Sequence, residues 1–300
     1  MLLNGIIPAL TTPFNDVGAL ALDRLRENVV RYNATGLSGY LVAGSTGETP
    51  FLDRAEFDQL LSAVREFAVP GRILIAGTGV DSVAETISRT EFAANLGYHF
   101  ALVCPPCFYK PMMTAHVLVE HYRHVADASR IPILLYSVPQ FTGVALEVDV
   151  VARLAEHPNI AGMKDSSGRV DRLGQILALV PSNFHVMTGA STTIYPSMVM
   201  GATGAILALA DFVPEACVGL YDAIVAKESA KALELQRRLI PASKRIVGEF
   251  GISGVKYAMD CLGYYGGPAR RPLMPLGESQ KREVEALVSK GATAFAGVVA

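Results

Sequence analysis

The sequence has few cysteines and no run of basic residues. Its 300 residues include four cysteines and carry a formal net charge of -2. Because a basic patch is what attracts nucleic acid or an anionic membrane surface, we expect neither as a partner. No apolar stretch reaches the roughly 18 to 20 residues of a membrane span. No secretory leader is evident, so the sparse cysteines predict a reducing compartment and a cytoplasmic protein.

The sequence also lacks the usual patterns of metal ligands. Cys104 and Cys107 form a Cys-x-x-Cys with two prolines between them. No second pair follows at zinc-site spacing, and no redox-motif context precedes the pair, so we expect neither a metal site nor a disulfide there. No cluster of histidines and carboxylates follows the predicted strands, which argues against metal-assisted chemistry.

Short apolar strands and amphipathic helices are what the sequence does contain, and they alternate eight times. Hydrophobic residues make up 51% of the chain and charged residues 18%, a composition that suits strands covered on both faces by helices. The strands are predicted at residues 3–10, 39–43, 72–76, 100–103, 131–136, 160–164, 185–188 and 204–207. This alternation predicts a parallel sheet, and eight repeats predict an α/β protein with a (β/α)8 TIM barrel.

A doubly wound open sheet is the competing architecture. It usually carries Gly-x-Gly-x-x-Gly after its first strand, whereas Gly77-Thr78-Gly79 is followed by Val-Asp-Ser. After the eighth unit the pattern becomes wholly helical, at 230–247, 255–262 and 279–287. We therefore predict a catalytic barrel over residues 1–228 and a C-terminal helical domain over 229–300.

Reactive side chains stand where the predicted strands end. Strand six ends on Lys164 and strand five on Tyr136, while Ser45 and Thr46 follow strand two. Catalytic groups of such barrels lie at the carboxyl ends of the strands. An amine that condenses with a keto group and a phenol that transfers protons favour Schiff-base chemistry.

Each of these residues also has a purely structural interpretation. Lys164 is then a solvated residue after a strand, and Tyr136 a core aromatic with a satisfied hydroxyl. Ser45 and Thr46 are then a helix cap, with Glu48 in a capping arrangement. Two other functions remain open. The protein could be a non-catalytic barrel that binds a 2-oxo acid, or it could be a metal-dependent class II aldolase.

Several motifs together resemble one family across nearly the whole chain. They are Gly44-Ser45-Thr46-Gly47-Glu48, Tyr136-Ser137-Val138-Pro139, Gly162-Met163-Lys164-Asp165-Ser166, Gly189 and Gly204-Ala205-Ile206. The family is that of dihydrodipicolinate synthase and N-acetylneuraminate lyase, which are class I lyases that handle pyruvate. Within it the chain is most similar to 4-hydroxy-2-oxoglutarate aldolases, also through Phe-Gly-Ile-Ser-Gly-Val-Lys and Gly-Tyr-Tyr-Gly-Gly-Pro near the C-terminus.

The resemblance implies a TIM barrel with a C-terminal helical extension, usually a homotetramer built as a dimer of dimers. It implies no metal and no organic cofactor. Lys164 would form an imine with pyruvate or the 2-oxo acid substrate, and Tyr136 would relay the proton.

The resemblance also assigns residues to substrate binding. Ser45 and Thr46 would hold the substrate carboxylate and complete the hydroxyl relay. Gly189 and Ile206 would line the pocket through backbone groups.

Two departures from the family pattern bear on the substrate. Phe141 stands where the synthases carry an arginine for the second substrate's carboxylate, and a phenyl ring makes no bidentate contact. The family often has a pair of tyrosines here, one of which reaches into a neighbouring subunit's site. Phe108 takes one of these places and cannot relay a proton, which leaves Tyr109 as a catalytic candidate. Lys110 would supply a cation for a dicarboxylate, or is only a solvated loop residue.

We therefore predict cleavage of a 4-hydroxy-2-oxo acid, 4-hydroxy-2-oxoglutarate in particular, to pyruvate and an aldehyde such as glyoxylate. The alternative is dihydrodipicolinate synthase, which joins pyruvate and aspartate semialdehyde in lysine biosynthesis, or another sugar-acid lyase or dehydratase of the family.

Overall fold

The computed structural model describes residues 2–295, with side chains up to residue 289, and contains eight strands in one parallel sheet. The strands are β1 Gly5–Pro8, β2 Gly39–Val42, β3 Ile73–Gly77, β4 Phe100–Val103, β5 Ile133–Ser137, β6 Ile160–Asp165, β7 His185–Thr188 and β8 Gly204–Leu207. Their order is β1-β8-β7-β6-β5-β4-β3-β2. A parallel bridge from Ala9 to Leu41 links the chain just after β1 to β2. The predicted (β/α)8 TIM barrel is confirmed.

Helices follow the strands, as predicted. They are α1 Leu22–Asn33, α2 Arg54–Phe67, α3 Val83–Asn95, α4 Ala115–Ala128, α5 Pro139–Thr142, α6 Val148–Ala155, α7 Val170–Leu179, α8 Ile194–Met200, α9 Pro214–Val225, α10 Ser229–Ala242, α11 Gly251–Cys261 and α12 Glu278–Phe295. Among the described helices, none is long and apolar enough to cross a membrane. A cytoplasmic location stays a prediction.

By its contacts the chain divides into two compact bodies. The first comprises residues 73–206 with the segment up to Asn4, and the second comprises residues 5–72 with the chain from Leu207 onward. The predicted boundary between residues 228 and 229 stays a prediction, and residues 296–300 of the predicted C-terminal domain lie outside the described residues.

In the first body, one face of the sheet packs against helices. Leu135, Met163 and Val186 are paired on adjacent strands and belong to a buried apolar cluster with residues of α4, α6 and α7. Side chains alternate between the two faces of a strand. The residues that follow them, Tyr136 and Lys164 among them, therefore face away from the helices.

The pairing of β5 with β6 contains an irregularity. Ile133 pairs with Ile160, but Leu134 pairs with Gly162, so Ala161 is an extra residue in β6. Beyond this bulge the pairing is regular and Tyr136 pairs with Lys164. A bulge shifts the phase of one strand relative to its neighbour.

The second body contains the C-terminal helices, where the structure differs from the prediction. The single helix predicted over 230–247 is α10 followed by a π-helix at Ser243–Glu249. Pro241 lies inside α10, and because proline has no backbone N–H it disturbs the regular α-helical ladder. The helix predicted from Val255 begins earlier, at Gly251, whose positive φ of 60° marks the turn before it.

Candidate active site

Lys164 and Tyr136 lie side by side on neighbouring strands. They are paired in register, and the Lys164 Nζ atom is 4.6 Å from the centre of the Tyr136 ring. Both side chains are buried. Because β5 and β6 are parallel, the amine and the phenol stand at the same carboxyl edge of the sheet. The structure thus brings together the two residues that the sequence proposed for imine formation and proton transfer.

A buried ion pair fixes the end of β6 from the opposite face. The Asp165 Oδ2 atom lies 3.3 Å from Arg172 Nε of α7, and both side chains are buried. Asp165 Oδ1 also accepts a hydrogen bond from the Ser167 N–H at 2.9 Å, and Arg172 donates to the Leu146 carbonyl. With Asp165 held on the helix side, the preceding residue, Lys164, must face the other way. Neither Asp165 nor Arg172 was expected from the sequence to have a role in the site.

Gly189 lies directly against the lysine. A Cβ atom at this position would overlap the Ser166 hydroxyl and would come within 3.0 Å of Lys164 Cε. The Gly189 N–H donates to the Asp165 carbonyl at 2.7 Å. A larger residue at position 189 would therefore force Ser166 or Lys164 to move, and the glycine lies beside the lysine side chain. Ser166 is a further polar neighbour that the sequence analysis quoted in a motif without giving it a role.

The loop after β5 forms the short helix α5, which the sequence analysis did not predict. The Gln140 Nε2 group donates to the Ser166 carbonyl at 3.2 Å, which ties this loop to the end of β6. Phe141 is 67% exposed. Gly143 ends the helix with φ of 64°, and a Cβ on it would lie 3.0 Å from Lys110 Nζ. Lys110 therefore lies against the loop that carries Phe141.

The segment before Lys110 presents aromatic rings at the surface. The rings of Phe108 and Tyr109 are exposed and meet edge to face at 5.0 Å between centroids. The Cys107 and Phe108 N–H groups donate to Asp81 Oδ1 at 2.6 and 2.8 Å, so one carboxylate holds the turn. Burial raises the pKa of the Cys107 thiol, which disfavours the thiolate that metals and disulfide exchange require.

Ser45 and Thr46 lie in the second body, in the turn after β2. The Gly47 N–H donates to the Gly44 carbonyl at 3.0 Å, and the Glu48 N–H donates to the Ser45 carbonyl at 3.1 Å. The capping interpretation of this segment is wrong for α2. That helix is capped by Asp53, whose side chain accepts from the Glu56 N–H.

The remaining predicted pocket residue is Ile206, in β8. Its side chain is buried, and the pairing of Thr188 with Ala205 places β8 next to β7 in the first body. Over the described part of the chain, no group of three or more histidine, cysteine, aspartate or glutamate side chains is placed to hold a metal ion.

Comparison with known proteins identifies the family. The model of the dihydrodipicolinate synthetase family matches residues 2–291. The chain belongs to this family. It is therefore a carbon-carbon lyase of the pyruvate-dependent class I aldolases, as the sequence motifs predicted.

Relatives within the family are similar over almost their whole length. The chain is 37% identical over 288 residues to a 4-hydroxy-tetrahydrodipicolinate synthase of Methanothrix thermoacetophila, covering 95% of this chain and 96% of the relative. The 4-hydroxy-tetrahydrodipicolinate synthase of Methylacidiphilum fumariolicum superposes with a TM-score of 0.94 at 28% identity, over 99% of this chain and 98% of the other. The chloride-inhibited dihydrodipicolinate synthase of Acinetobacter baumannii was solved in complex with pyruvate. It superposes with a TM-score of 0.92 at 30% identity, over 99% of this chain and 100% of the other.

These names favour the alternative prediction over the principal one. The relatives are synthases of the dihydrodipicolinate type, and none of those reported above is a 4-hydroxy-2-oxoglutarate aldolase. Family membership establishes the class I aldolase chemistry and leaves the second substrate to be assigned.

Proposed function

We propose that Lys164 forms an imine with the keto carbon of pyruvate and that the enzyme then makes or breaks a carbon-carbon bond next to it. One observation carries the proposal: the Lys164 amine is buried and lies 4.6 Å from the centre of the Tyr136 ring at paired strand ends. Condensation of the amine with the ketone releases one water molecule. Loss of a methyl proton from the imine then gives an enamine, whose carbon attacks an aldehyde.

The other predicted residues have supporting roles in this proposal. Tyr136 transfers protons during carbinolamine and enamine formation. Ser45 and Thr46 bind the pyruvate carboxylate, as the family resemblance implies. Gly189 supports the step through its closeness to Lys164, which leaves room for substrate where a larger residue would fill the space.

The first candidate for the second substrate is aspartate semialdehyde, which would make the protein a 4-hydroxy-tetrahydrodipicolinate synthase. The names of the relatives support it. The second candidate is glyoxylate, in which case the enzyme cleaves 4-hydroxy-2-oxoglutarate to pyruvate and glyoxylate. Phe141 favours it, because an exposed phenyl ring replaces the arginine that binds the semialdehyde's carboxylate in the synthases. Lys110, which lies against Gly143, is then the cation offered to a carboxylate.

Borohydride trapping tests the imine. The protein is incubated with pyruvate and reduced, and its intact mass is measured. We expect one adduct in the wild type and none in Lys164→Met, which keeps the length of the side chain but lacks the amine. Lys281→Met, at a lysine paired with Glu278 on α12, is the matched control and should retain the adduct. An adduct in Lys164→Met contradicts the proposal.

A substrate panel then separates the two candidates. Pyruvate consumption with aspartate semialdehyde supports the synthase, and pyruvate release from 4-hydroxy-2-oxoglutarate supports the aldolase. Two variants test the loops. Lys110→Met should lower activity with a dicarboxylate substrate, and Phe141→Arg should raise activity with aspartate semialdehyde. An unchanged ratio of the two activities in both variants contradicts the roles given to these loops.

We also propose a homotetramer, as the resemblance implies. Exposed Phe108, Tyr109 and Met112 support it, because exposed aromatic and methionine side chains are enriched at protein interfaces. Light scattering measures the mass in solution, and a monomer at micromolar concentration contradicts this part.

A further inference from the structure

The turn that carries Ser45 and Thr46 has an unusual backbone on both sides. Ala43 and Glu48 both have positive φ, at 55° and 57°, and over the described chain only one other non-glycine residue, Lys227, does so. Left-handed backbone at a residue with a side chain is unfavourable and persists only where the surroundings hold it. A glycine at position 48 would allow the same turn without this cost, so the Glu48 side chain must have a reason to be there.

That reason is a buried ion pair with the C-terminal helices. Glu48 Oε1 lies 2.5 Å from Lys256 Nζ of α11, and the side chains are 0% and 1% exposed. Glu48 Oε2 accepts the Arg270 backbone N–H at 2.7 Å. Lys256 Nζ also donates to the Pro268 carbonyl at 2.8 Å.

Neighbouring contacts hold both ends of this network in place. The Thr12 hydroxyl donates to the Gly47 carbonyl at 2.6 Å, beside Glu48. A Cβ on Gly266 would overlap the Lys256 carbonyl, so the 266–270 segment presses directly onto α11. The Arg270 guanidinium is held by Glu56 at 2.6 Å. The carboxylate of Glu48 therefore has little freedom to move.

A buried ion pair by itself adds little to the stability of a protein. Removing two charges from water is costly, and apolar residues of similar volume often serve as well or better. Burial lowers the pKa of Lys256, and the Glu48 carboxylate opposes that shift, so the two groups are mutually dependent. Strained backbone and buried charges both cost free energy of folding, and proteins keep such features mainly at functional sites.

We propose that Lys256, acting through Glu48, is a positioning residue that fixes the Ser45–Thr46 turn for binding of the substrate carboxylate. This inference rests on the proposed function, since it takes Ser45 and Thr46 as carboxylate ligands. It adds that affinity for the 2-oxo acid is set partly from the C-terminal helices. Lys256 touches no reacting atom.

The test separates the pyruvate concentration that half-saturates imine formation from the amount of imine formed at saturation. Borohydride trapping is repeated over a range of pyruvate concentrations for the wild type, Lys256→Met and the double variant Glu48→Gln with Lys256→Met. The melting temperature of each protein is also measured. The matched control is Arg245→Met, which breaks an ion pair with Glu283 among the same C-terminal helices but has no bond to the turn.

We expect the half-saturating pyruvate concentration to rise at least about tenfold in Lys256→Met and in the double variant, the size expected when one hydrogen bond to a charged group is lost. The adduct yield at saturation should stay at the wild-type level, because Lys164 is untouched. The double variant carries no unpaired buried charge, so its melting temperature should recover toward that of the wild type while its affinity should not.

Recovery of affinity together with stability, an equal rise in Arg245→Met, or wild-type affinity in both variants would overturn the inference. If the wild type itself forms no adduct, the proposed function fails instead. The two failures are therefore distinguishable.

Discussion

Replacing Arg172 by methionine is expected to destabilise the protein strongly, because it leaves a buried carboxylate without its cation. Asp165 and Arg172 are 3% and 8% exposed and lie 3.3 Å apart. After the change Asp165 keeps the Ser167 N–H as a partner. Breaking a buried pair from one side costs about 3 to 5 kcal/mol. At about 2 °C per kcal/mol for a chain of this size, the melting temperature should fall by about 6 to 10 °C.

Arg169→Met is the matched control, since Arg169 lies just before the same helix. Its ion pair with Asp171 is shorter, at 2.6 Å, but the side chains are 65% and 61% exposed. Water and salt screen an exposed pair, so the melting temperature should fall far less than in Arg172→Met. Calorimetry on both variants measures the difference. If Arg172→Met costs no more than Arg169→Met, the reasoning from burial is refuted.

Two further predictions concern turnover and pH. Tyr136→Phe should lower turnover by about 100-fold or more, as loss of a proton-transfer group does, without lowering the melting temperature much; steady-state assays that find unchanged turnover would remove its role. Burial and, secondarily, the charge of His124 lower the pKa of His121 to about 4 from 6.5. The unfolded chain then binds more protons between these values, so stability should fall as the pH drops from 6.5 to 4, by up to about 3 kcal/mol. Urea unfolding at pH 7 and 4.5 measures this loss of stability, which should be smaller in His121→Phe than in the wild type. An equal loss in the two proteins would contradict the role given to His121.

The strands and the helices around them could be predicted because their periodicity is local. The predicted strands β4, β7 and β8 match the structure residue for residue. The position of Lys164 and Tyr136 followed from counting the units, because parallel strands of a barrel end at one edge. Their closeness then needed only the correct pairing of β5 with β6.

Long-range polar pairs could not be predicted. Glu48 and Lys256 are far apart in sequence, and nothing local marks either as buried. Asp165 and Arg172 are closer, but an aspartate after a strand and an arginine in a helix are ordinarily exposed. The π-helix at Ser243–Glu249 was also missed, although Pro241 just before it is a sequence signal of an irregular helix.

The bulge at Ala161 has a consequence for how this enzyme could change over evolution. Had the ladder continued without the shift, Tyr136 would pair with Met163, and Lys164 would stand opposite Ser137 on the helix side. The closeness of the Lys164 amine and the Tyr136 ring is thus set by the register of β5 and β6. Insertions and substitutions in the 104–113 and 138–143 loops are therefore expected to leave the pairing of Tyr136 with Lys164 intact.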